Sequence, residues 1–299
     1  MTLGFIILLS SQGRLHWSAD VAATFLDYFL LLLLISLVIL AWRKQWLFFA
    51  VASLFFCWGI FDLFGFASAP IYADQNPAVR LMVFNVYFEN QEVEAVQAEI
   101  ERHDPDIIYL MEYPSNANPI MRLELNDDYP YQLIEPSRFT MGTALYSKHP
   151  FVESKTHQFA GTRIPISEVL INVDGKQFVF VGGHPWPPLP PWGQLHREQL
   201  DDIIGVAESA LQLDVPLVVA GDFNTPPQAF MLNQLAQRVG VNQVRQQFDL
   251  RKTYSPFPAV FMSLDHVLVS EDIRVSDYSY AGSAGSDHVP IVVDFSIAP

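Results

Sequence analysis

The chain has 299 residues, of which 51% are hydrophobic, and its formal net charge is −15. An apolar fraction this high, with a mean hydropathy of +0.20, exceeds that of an ordinary soluble domain and predicts membrane segments. Only three of the 17 basic and four of the 32 acidic residues lie in residues 1–75, so residues 76–299 carry a net charge of −14. A protein held on nucleic acid by phosphate contacts presents a basic face, so this balance disfavours tight non-specific binding to DNA or RNA.

Two apolar stretches near the N-terminus, at about 22–42 and 46–69, are long enough to cross a bilayer and lack the polar face of a surface helix. They predict an anchor over residues 1–71 with two transmembrane helices, and the lipid bilayer as a partner. Between them lies the basic pair Arg43 and Lys44, and basic loops favour the cytoplasmic side. The sequence therefore predicts a multi-pass inner-membrane or plasma-membrane protein, with the domain that follows on the non-cytoplasmic side.

The rest of the chain is predicted to form one domain after a short linker. Residues 72–78 are polar, contain Pro77 and interrupt the apolar pattern, as a linker does. Residues 79–299 remain, enough for one large α/β domain. The single cysteine, Cys57, lies in an apolar stretch, which excludes an intrachain disulfide and a thiolate metal cluster.

Strand-like apolar runs alternate with amphipathic helical stretches through this domain. Strands are predicted at 79–84, 106–111, 143–147, 169–173, 177–182, 217–220, 263–269 and 289–295, and helices at 91–102, 194–212 and 228–239.

Polar residues follow or flank six of the predicted strands, where the active sites of layered α/β proteins collect. They are Asn85, Glu112, His184, Asp222 with Asn224, Asp265, and the triplet Ser286-Asp287-His288. A single Asn or Asp at a strand end is usually a turn former, and a lone Glu or His there is usually a surface or structural group. Repetition at six strand ends indicates one shared site.

The order of these motifs resembles that of the endonuclease/exonuclease/phosphatase (DNase I-like) superfamily. The segments that carry the resemblance are Phe84–Val86, Tyr109–Glu112, Gly142–Ser147, Gly183–Pro185, Gly221–Asn224, Leu264–His266 and Ser286–His288. The resemblance covers roughly residues 79–296. It implies an α/β fold, a four-layer sandwich in which two packed mixed β-sheets are flanked by helices.

The resemblance also implies a divalent-metal-dependent hydrolase that cleaves phosphoesters. Glu112 would be the main Mg²⁺ ligand, supported by Asn85 and Asp287, because Mg²⁺ prefers hard oxygen ligands. Mn²⁺ is an alternative ion. His266 follows Asp265 in a strand, where neighbouring side chains point to opposite faces, and is expected to be structural.

By the same resemblance, five residues would carry the catalytic steps. Asp222 would orient and deprotonate the attacking water, and Asn224 would hydrogen-bond a phosphoryl oxygen. His288 would contact the phosphoryl group, with Asp265 hydrogen-bonded to its imidazole and favouring the protonated form. His184 would assist the charge of the transition state or the leaving oxygen.

The substrate stays open at this level between a phosphodiester and a phosphomonoester. A metal-dependent nuclease acting on DNA or RNA is the alternative, and a catalytically silent membrane scaffold is a third; no protein partner is predicted. The loop 185–192 carries two tryptophans among five prolines, and could rest on lipid headgroups, stack on a base or sugar, or simply be rigid. Arg138 and Arg197 are candidate phosphate contacts or surface ion-pair partners.

Overall fold

The computed structural model describes residues 2–66, 68–72, 79–114, 125, 127–137, 140–246 and 249–298. Its helices are α1 (Thr2–Ser10), α2 (Trp17–Ala23), α3 (Leu26–Trp42), α4 (Trp46–Phe64), α5 (Val93–His103), α6 (Gly193–Ala210) and α7 (Phe230–Val239). Its strands are β1 (Val79–Asn85), β2 (Ile107–Met111), β3 (Tyr131–Glu135), β4 (Thr143–Ser147), β5 (Phe151–Gln158), β6 (Pro165–Val173), β7 (Lys176–Gly183), β8 (Leu217–Asp222), β9 (Val241–Gln243), β10 (Tyr254–Phe257), β11 (Val260–Met262), β12 (Asp265–Ser270), β13 (Ile273–Tyr280) and β14 (Ile291–Ile297).

The strands of the described chain form two six-stranded sheets and a separate hairpin. One sheet has the order β13-β14-β1-β2-β4-β3, the other β5-β6-β7-β8-β12-β9, and β10 pairs with β11. The pairs β1–β2 and β7–β8 are parallel, while the other pairs within the sheets are antiparallel. Both sheets are therefore mixed, as predicted.

Strand β1 shows how the sequence builds the layers. All but one of its residues are buried, because side chains alternate between two covered faces. Leu81 and Val83 enter the core between the sheets, whereas Met82 and Phe84 pack beneath helix α5. Such a strand reads as a continuous apolar run rather than as an alternating one.

Aromatic side chains close the core between the two sheets. Phe178 of β7 meets Phe295 of β14 edge-on, with ring centroids 5.6 Å apart, and Tyr109 of β2 meets Phe180 of β7 at 5.1 Å. Helices α6 and α7 cover the outer face of the β7–β8 sheet, and α5 covers the other. These four layers confirm the predicted sandwich of two mixed sheets between helices.

The N-terminal helices differ in two respects from the prediction. Within the described residues, Trp46–Phe64 is long and apolar enough to cross a membrane, but it ends at Phe64 rather than at residue 69. The predicted helix at 22–42 is broken: Trp17–Ala23 meets Leu26–Trp42 at a 61° bend, and the pair passes the test for a membrane span only when taken together, as a broken span or a re-entrant loop. A single uninterrupted helix over 22–42 was therefore wrong.

The bend arises because α2 docks on the globular domain. The Asp20 carboxylate accepts the backbone N–H of Phe230 (2.9 Å), which is otherwise unpaired at the start of α7, and Gln228 donates to the carbonyl of Ala23 (2.7 Å). Arg197 donates to the carbonyl of Gly13 (2.6 Å). Hydropathy cannot register such contacts, since they join residues about 200 positions apart.

The segment after α4 is tied to both sheets. Ala69 donates its N–H to the carbonyl of Gln243 (2.7 Å), and Tyr72 donates to that of Val275 (2.7 Å). The predicted linker over 72–78 thus begins at a residue that is held by β13, and its positions 73–78 lie outside the described residues. The end of α3 nearest to the sandwich is also fixed, because Lys252 pairs with Asp27 at 2.8 Å.

Candidate active site

Four strand ends bring the predicted polar residues to one edge of the sandwich. Asn85 ends β1, and Met111, its partner in the neighbouring strand, is followed by Glu112. Asp222 ends β8 and pairs in register with Asp265, the first residue of β12. All eight predicted site residues contact one another here or line the same cavity: Asn85, Glu112, His184, Asp222, Asn224, Asp265, Asp287 and His288.

Asp222 is the centre of this group. Its Oδ2 lies 3.0 Å from Asn85 Nδ2, 3.5 Å from His184 Nε2 and 3.6 Å from His288 Nε2. Burial would raise the pKa of this carboxyl, but the charge of His288 and the hydrogen bond and charge of His184 outweigh it, so the pKa lies well below its usual range. Asp222 is therefore an anion between two imidazoles.

Asp265 orients His288. Its Oδ2 lies 2.8 Å from Nδ1 of the imidazole, and both side chains are buried. Burial would lower the pKa of His288, but the charges of Asp265 and Asp222 prevail and raise the pKa to about 10. The ring is thus cationic at neutral pH, and its Nε2 is the nitrogen left to face Asp222 and the cavity.

Tyr254 and Thr253 complete the surroundings of this pair, and sequence reasoning missed both. The Tyr254 ring lies 4.6 Å from the imidazole of His288, and the Thr253 hydroxyl accepts the backbone N–H of Asp265 (3.1 Å). Thr253 precedes the hairpin β10–β11 and Tyr254 begins it. The sequence shows no periodic pattern there that would predict a strand.

Asn85 and Glu112 hold each other. Asn85 Nδ2 donates to Glu112 Oε1 (3.2 Å), while Asn85 Oδ1 accepts the N–H of Tyr87 (3.0 Å) and Glu112 Oε2 accepts that of Phe88 (2.9 Å). The amide oxygen of Asn85 keeps one free lone pair. In this arrangement Asn85 positions two carboxylates, and its direct contact with a cation stays a prediction.

Left-handed backbone conformations occur at three positions of the site. Tyr87, Glu112 and Asn224 have φ values of 61°, 55° and 50°, in the left-handed region that costs a residue with a side chain about 1–3 kcal/mol. Glu112 follows the last residue of β2, and this turn away from strand geometry directs its carboxylate to the amides of Asn85 and Phe88. Such strain is typical of functional sites, and a sequence gives no sign of it.

The glycine before Asp222 is required by a close approach of two strand ends. A Cβ at Gly221 would lie 2.0 Å from the carbonyl oxygen of Gly183, closer than any side chain permits. The parallel neighbours β7 and β8 can therefore bring His184 and Asp222 side by side only because Gly221 has no side chain.

The charge of the cavity fits a divalent cation. Three carboxylates line it, those of Glu112, Asp222 and Asp287, and none of the described lining residues is Lys or Arg. Burial raises the pKa of Asp287 despite nearby His288, and the charge of Glu112 adds to the increase. A hard cation would relieve this repulsion, and Glu112 and Asp287 are the oxygen ligands that suit it.

A second group of possible ligands has a different chemistry. Ligand atoms of Asp222, Asp265 and His288 lie within 4.8 Å of one another. Here the Asp265 carboxylate and the His288 imidazole already share a hydrogen bond of 2.8 Å. The cavity edge thus offers two alternative sets of ligand atoms, Glu112 with Asp287, and Asp222 with Asp265 and His288.

Two of the predicted contacts with phosphate look different in the structure. Asn224 lines the cavity, but its Nδ2 donates to the carbonyl of Pro185 (3.1 Å), so at most its second hydrogen can reach a phosphoryl oxygen. Arg197 does not line the cavity described here, since its guanidinium is bonded to Gly13 and lies over the Phe230 ring at 5.7 Å. Arg138 lies outside the described residues.

The cavity itself has a volume of about 420 Å³, within the range of small-molecule sites. Its walls include Trp186 and Leu189 of the proline-rich loop and also Val21, Thr24 and Phe25 from the corner between α2 and α3. Sequence reasoning missed these last three, because they belong to the predicted anchor. Trp186 stacks on Trp192, with centroids 5.4 Å apart and planes at 19°, which stiffens this wall.

His266 lies apart from this network, and its burial predicts a pH dependence of stability. Its Nε2 contacts the carbonyl of Thr225 (2.7 Å), and its ring stacks on Phe223. Burial lowers the pKa of His266 from 6.5 to about 4. Between pH 6.5 and about pH 4 His266 is protonated in the unfolded chain but not in the folded protein. The free energy of unfolding therefore falls as the pH falls.

We expect this histidine to cost the wild type about 2 kcal/mol of stability between neutral pH and about pH 5. The variant His266→Gln keeps a side-chain donor for Thr225 but cannot be protonated, so its stability should fall less over the same interval. Denaturant unfolding of both proteins in detergent, followed by tryptophan fluorescence, measures the difference. Parallel pH curves would show that His266 does not titrate on unfolding.

A buried carboxylate between two imidazoles, beside a pair of carboxylates that suit a cation, is the arrangement of a hydrolase that activates water against a phosphoester. The sequence profile of the Endonuclease/Exonuclease/phosphatase family matches residues 82–288. The chain belongs to this family, and its family and fold point to a hydrolase that acts on phosphoester bonds. A search of curated protein sequences found no match.

Solved structures share the fold at low sequence identity. The catalytic domain of human Nocturnin, with bound sulfate, is 19% identical, with a TM-score of 0.61 over 74% of this chain and 94% of that chain. TDP2 of D. rerio, in complex with a single-strand DNA product, is 16% identical, with a TM-score of 0.60 over 73% and 98%. An endonuclease/exonuclease/phosphatase from Beutenbergia cavernae is 19% identical, with a TM-score of 0.59 over 74% and 72%.

Proposed function

We propose that the protein is a membrane-anchored, Mg²⁺-dependent phosphoesterase whose catalytic domain lies on the non-cytoplasmic side. The observation that carries the proposal is the placement of Asp222 within 3.6 Å of both His184 and His288, beside Glu112 in a cavity whose described lining holds no Lys or Arg. Mg²⁺ held by Glu112 and Asp287, with Asn85 in support, would neutralise phosphate charge and polarise the ester. Mn²⁺ is the alternative ion.

The chain's own residues then account for the proton movements of hydrolysis. The oxygen of a water forms a bond to phosphorus while the bond from phosphorus to the leaving oxygen breaks. The proton of the water passes to Asp222, which Asn85 holds in place. His288, fixed by Asp265, donates from Nε2 to a phosphoryl oxygen, and Asn224 supplies a further N–H.

His184 is the group that we assign to the leaving oxygen. Asp222 raises the pKa of its imidazole by a hydrogen bond and by charge, against the effect of burial. Its Nδ1 is buried without a hydrogen-bond partner among the described residues. A protonated nitrogen in this state is a donor that lacks an acceptor, and the leaving oxygen of a substrate would provide one.

The case for a membrane anchor is the apolar surface of α3 and α4. Val38, Leu47 and Phe61 expose 65%, 74% and 71% of their surfaces, and large exposed apolar patches mark interaction with lipid or protein. The basic loop of Arg43 and Lys44 lies between these two helices, at the end away from the docked α2–α3 corner. Placing this loop in the cytoplasm puts the catalytic domain on the other side.

A nuclease is the second candidate, since a similar fold binds a single-strand DNA product in TDP2 of D. rerio. The electrostatics of this chain do not favour it. Residues 76–299 carry a net charge of −14, and no described lining residue of the cavity is Lys or Arg. Contacts with several phosphates along a strand normally require such side chains.

The test is hydrolysis by the purified full chain in nanodiscs, with Mg²⁺ or Mn²⁺, of a phosphodiester, a phosphomonoester, single-stranded DNA and RNA. We expect cleavage of a small phosphoester that stops when the metal is chelated. Cleavage of DNA or RNA alone would replace the proposal by the nuclease. Calorimetric titration with Mg²⁺ separates a silent scaffold, which need not bind the ion, from an enzyme.

A further inference from the structure

The cavity combines two chemistries along its length. Around His184, which is 2% exposed, it is lined by carboxylates and imidazoles. It continues to Leu189, which is 53% exposed. The walls also carry Val21, Phe25, Trp186, Met262 and Leu264, so a polar reaction centre is joined to an apolar compartment that hydrolysis of a small polar ester would not need.

The apolar compartment is built from two parts of the chain that are distant in sequence. Val21 and Phe25 come from the α2–α3 corner, and Trp186 and Leu189 from the loop before α6. Hydrogen bonds on both sides hold the corner against the domain. Gln228 donates to the carbonyl of Ala23, and the Tyr28 hydroxyl accepts the backbone N–H of Phe261 and donates to its carbonyl. This wall is therefore a fixed part of the site, and removing the anchor would open the cavity.

The position of this wall links the cavity to the bilayer. Phe25 directly precedes Leu26–Trp42, the helix whose exposed face is apolar. The cavity therefore lies where the proposed membrane span begins, and an amphiphile could place its head at Asp222 while its tail stays close to the lipid.

We propose that the substrate is a phosphoester with an apolar tail, and that the first tail carbons lie between Phe25 and Leu189. This proposal rests on the proposed phosphoesterase function and names its substrate class. The described lining of the cavity holds no Lys or Arg, so beyond the two imidazoles and the proposed cation the site offers an anionic ester little further ion pairing. Each methylene group that leaves water strengthens binding about fourfold. Burial of the tail would therefore supply binding affinity that ion pairing does not.

The first experiment compares ethyl, octyl and thymidine esters of para-nitrophenyl phosphate, below their micellar concentrations, with the full chain in phosphatidylcholine nanodiscs. We expect kcat/KM to rise on the order of 100-fold from ethyl to octyl, since several methylenes are buried. Equal values for the two esters would overturn the proposal. A preference for the thymidine ester would instead assign the apolar wall to base stacking.

Two variants locate the compartment. Leu189→Ser and Phe25→Ser should each lower the octyl-to-ethyl ratio of kcat/KM about tenfold, and serine suits position 25 because that residue is the N-cap of α3. The matched control is Leu211→Ser. Leu211 is 40% exposed but follows the last turn of α6, about 27 Å along the helix from the loop. An unchanged ratio in both variants, or an equal fall in the control, would contradict the assignment.

A binding measurement decides the proposal even if no ester is hydrolysed. Octylphosphonate with a diazirine on its third carbon is added to the wild-type protein in nanodiscs, the sample is illuminated, and the labelled peptides are mapped. Label at 21–25 and 186–189 is expected. Label confined to 26–42 and 46–64 would show an amphiphile dissolved in the bilayer only and would overturn the tail site, whereas label at the cavity without turnover would count against the phosphoesterase alone.

Discussion

Replacing Asp222 by asparagine is expected to lower kcat by about 10³-fold, the middle of the range for one general base. The substitution keeps the size of the side chain and the oxygen that accepts the N–H of Asn224 (2.9 Å). It removes the anion that lies between His184 and His288. The loss is therefore chemical, and KM should change much less than kcat.

The same substitution has a second, independent readout. Asp222 raises the pKa of both imidazoles through its charge, so in Asp222→Asn the histidine signals should titrate at lower pH by NMR. Asp201→Asn is the matched control, because Asp201 is an exposed residue of α6 that pairs with Arg238 at 3.4 Å. A kcat close to the wild-type value would show that Asp222 takes no part in the reaction, whether or not the pKa values of the histidines change.

The sequence predicted the central strands and missed the edge strands, for a physical reason. Strands such as β1, β2 and β8 are covered on both faces and give continuous apolar runs. The edges β3, β5, β9 and β13 were not predicted. In β5 nearly every residue is exposed, so its sequence FVESKTHQ lacks the apolar alternation of a strand with one buried face. Charged edges of this kind protect a sheet from pairing with another chain.

The site residues were predictable by type but not by arrangement. Glycine, acid, amide and histidine positions at strand ends are visible in the sequence, and the structure places six of the eight on the wall of one cavity and the other two, Asn85 and Asp265, in contact with them. Which atom of Asn85 faces which carboxylate depends on the N–H of Tyr87, a backbone contact without a sequence signature. The left-handed conformation of Glu112 is likewise imposed by the fold.

The contribution of the N-terminal region to the cavity could not be predicted at all. Hydropathy describes residues 22–42 as one membrane segment, and it contains no information on what α2 touches. The hydrogen bond from Phe230 to Asp20 and the lining role of Phe25 join regions that only the folded chain brings together. This is the reason why the sequence left the substrate open, while the cavity walls favour an amphiphile.

Replacing Glu112 by glutamine should weaken Mg²⁺ binding on the order of 100-fold and abolish most activity at moderate metal concentrations. Glutamine keeps an oxygen for the N–H of Phe88, so the strained turn at residue 112 has the same support. The charge is lost, together with the oxygen that accepts from Asn85 Nδ2 (3.2 Å). Because Glu112 raises the pKa of Asp287 by repulsion, removing it also relieves a destabilising contact in the metal-free protein.

Two opposite effects on thermal unfolding follow from this. Without metal, Glu112→Gln should unfold at the same temperature as the wild type or higher. With Mg²⁺ at about 100 times the wild-type Kd, the wild type should gain about 2.7 kcal/mol of stability and the variant far less. Glu89→Gln is the control, since Glu89 accepts a hydrogen bond from Tyr87 (2.8 Å) but does not line the described cavity.

The same titration distinguishes between the two groups of possible ligands. If the cation binds Glu112 and Asp287, Asp265→Asn should keep the Mg²⁺-dependent rise in unfolding temperature and lose activity, because the imidazole of His288 loses the negative charge 2.8 Å away that favours its protonated form. If the rise persists in Glu112→Gln and disappears in Asp265→Asn, the cation binds at Asp222, Asp265 and His288. Glu112 would then serve only to hold Asn85, and the water would be activated without its carboxylate.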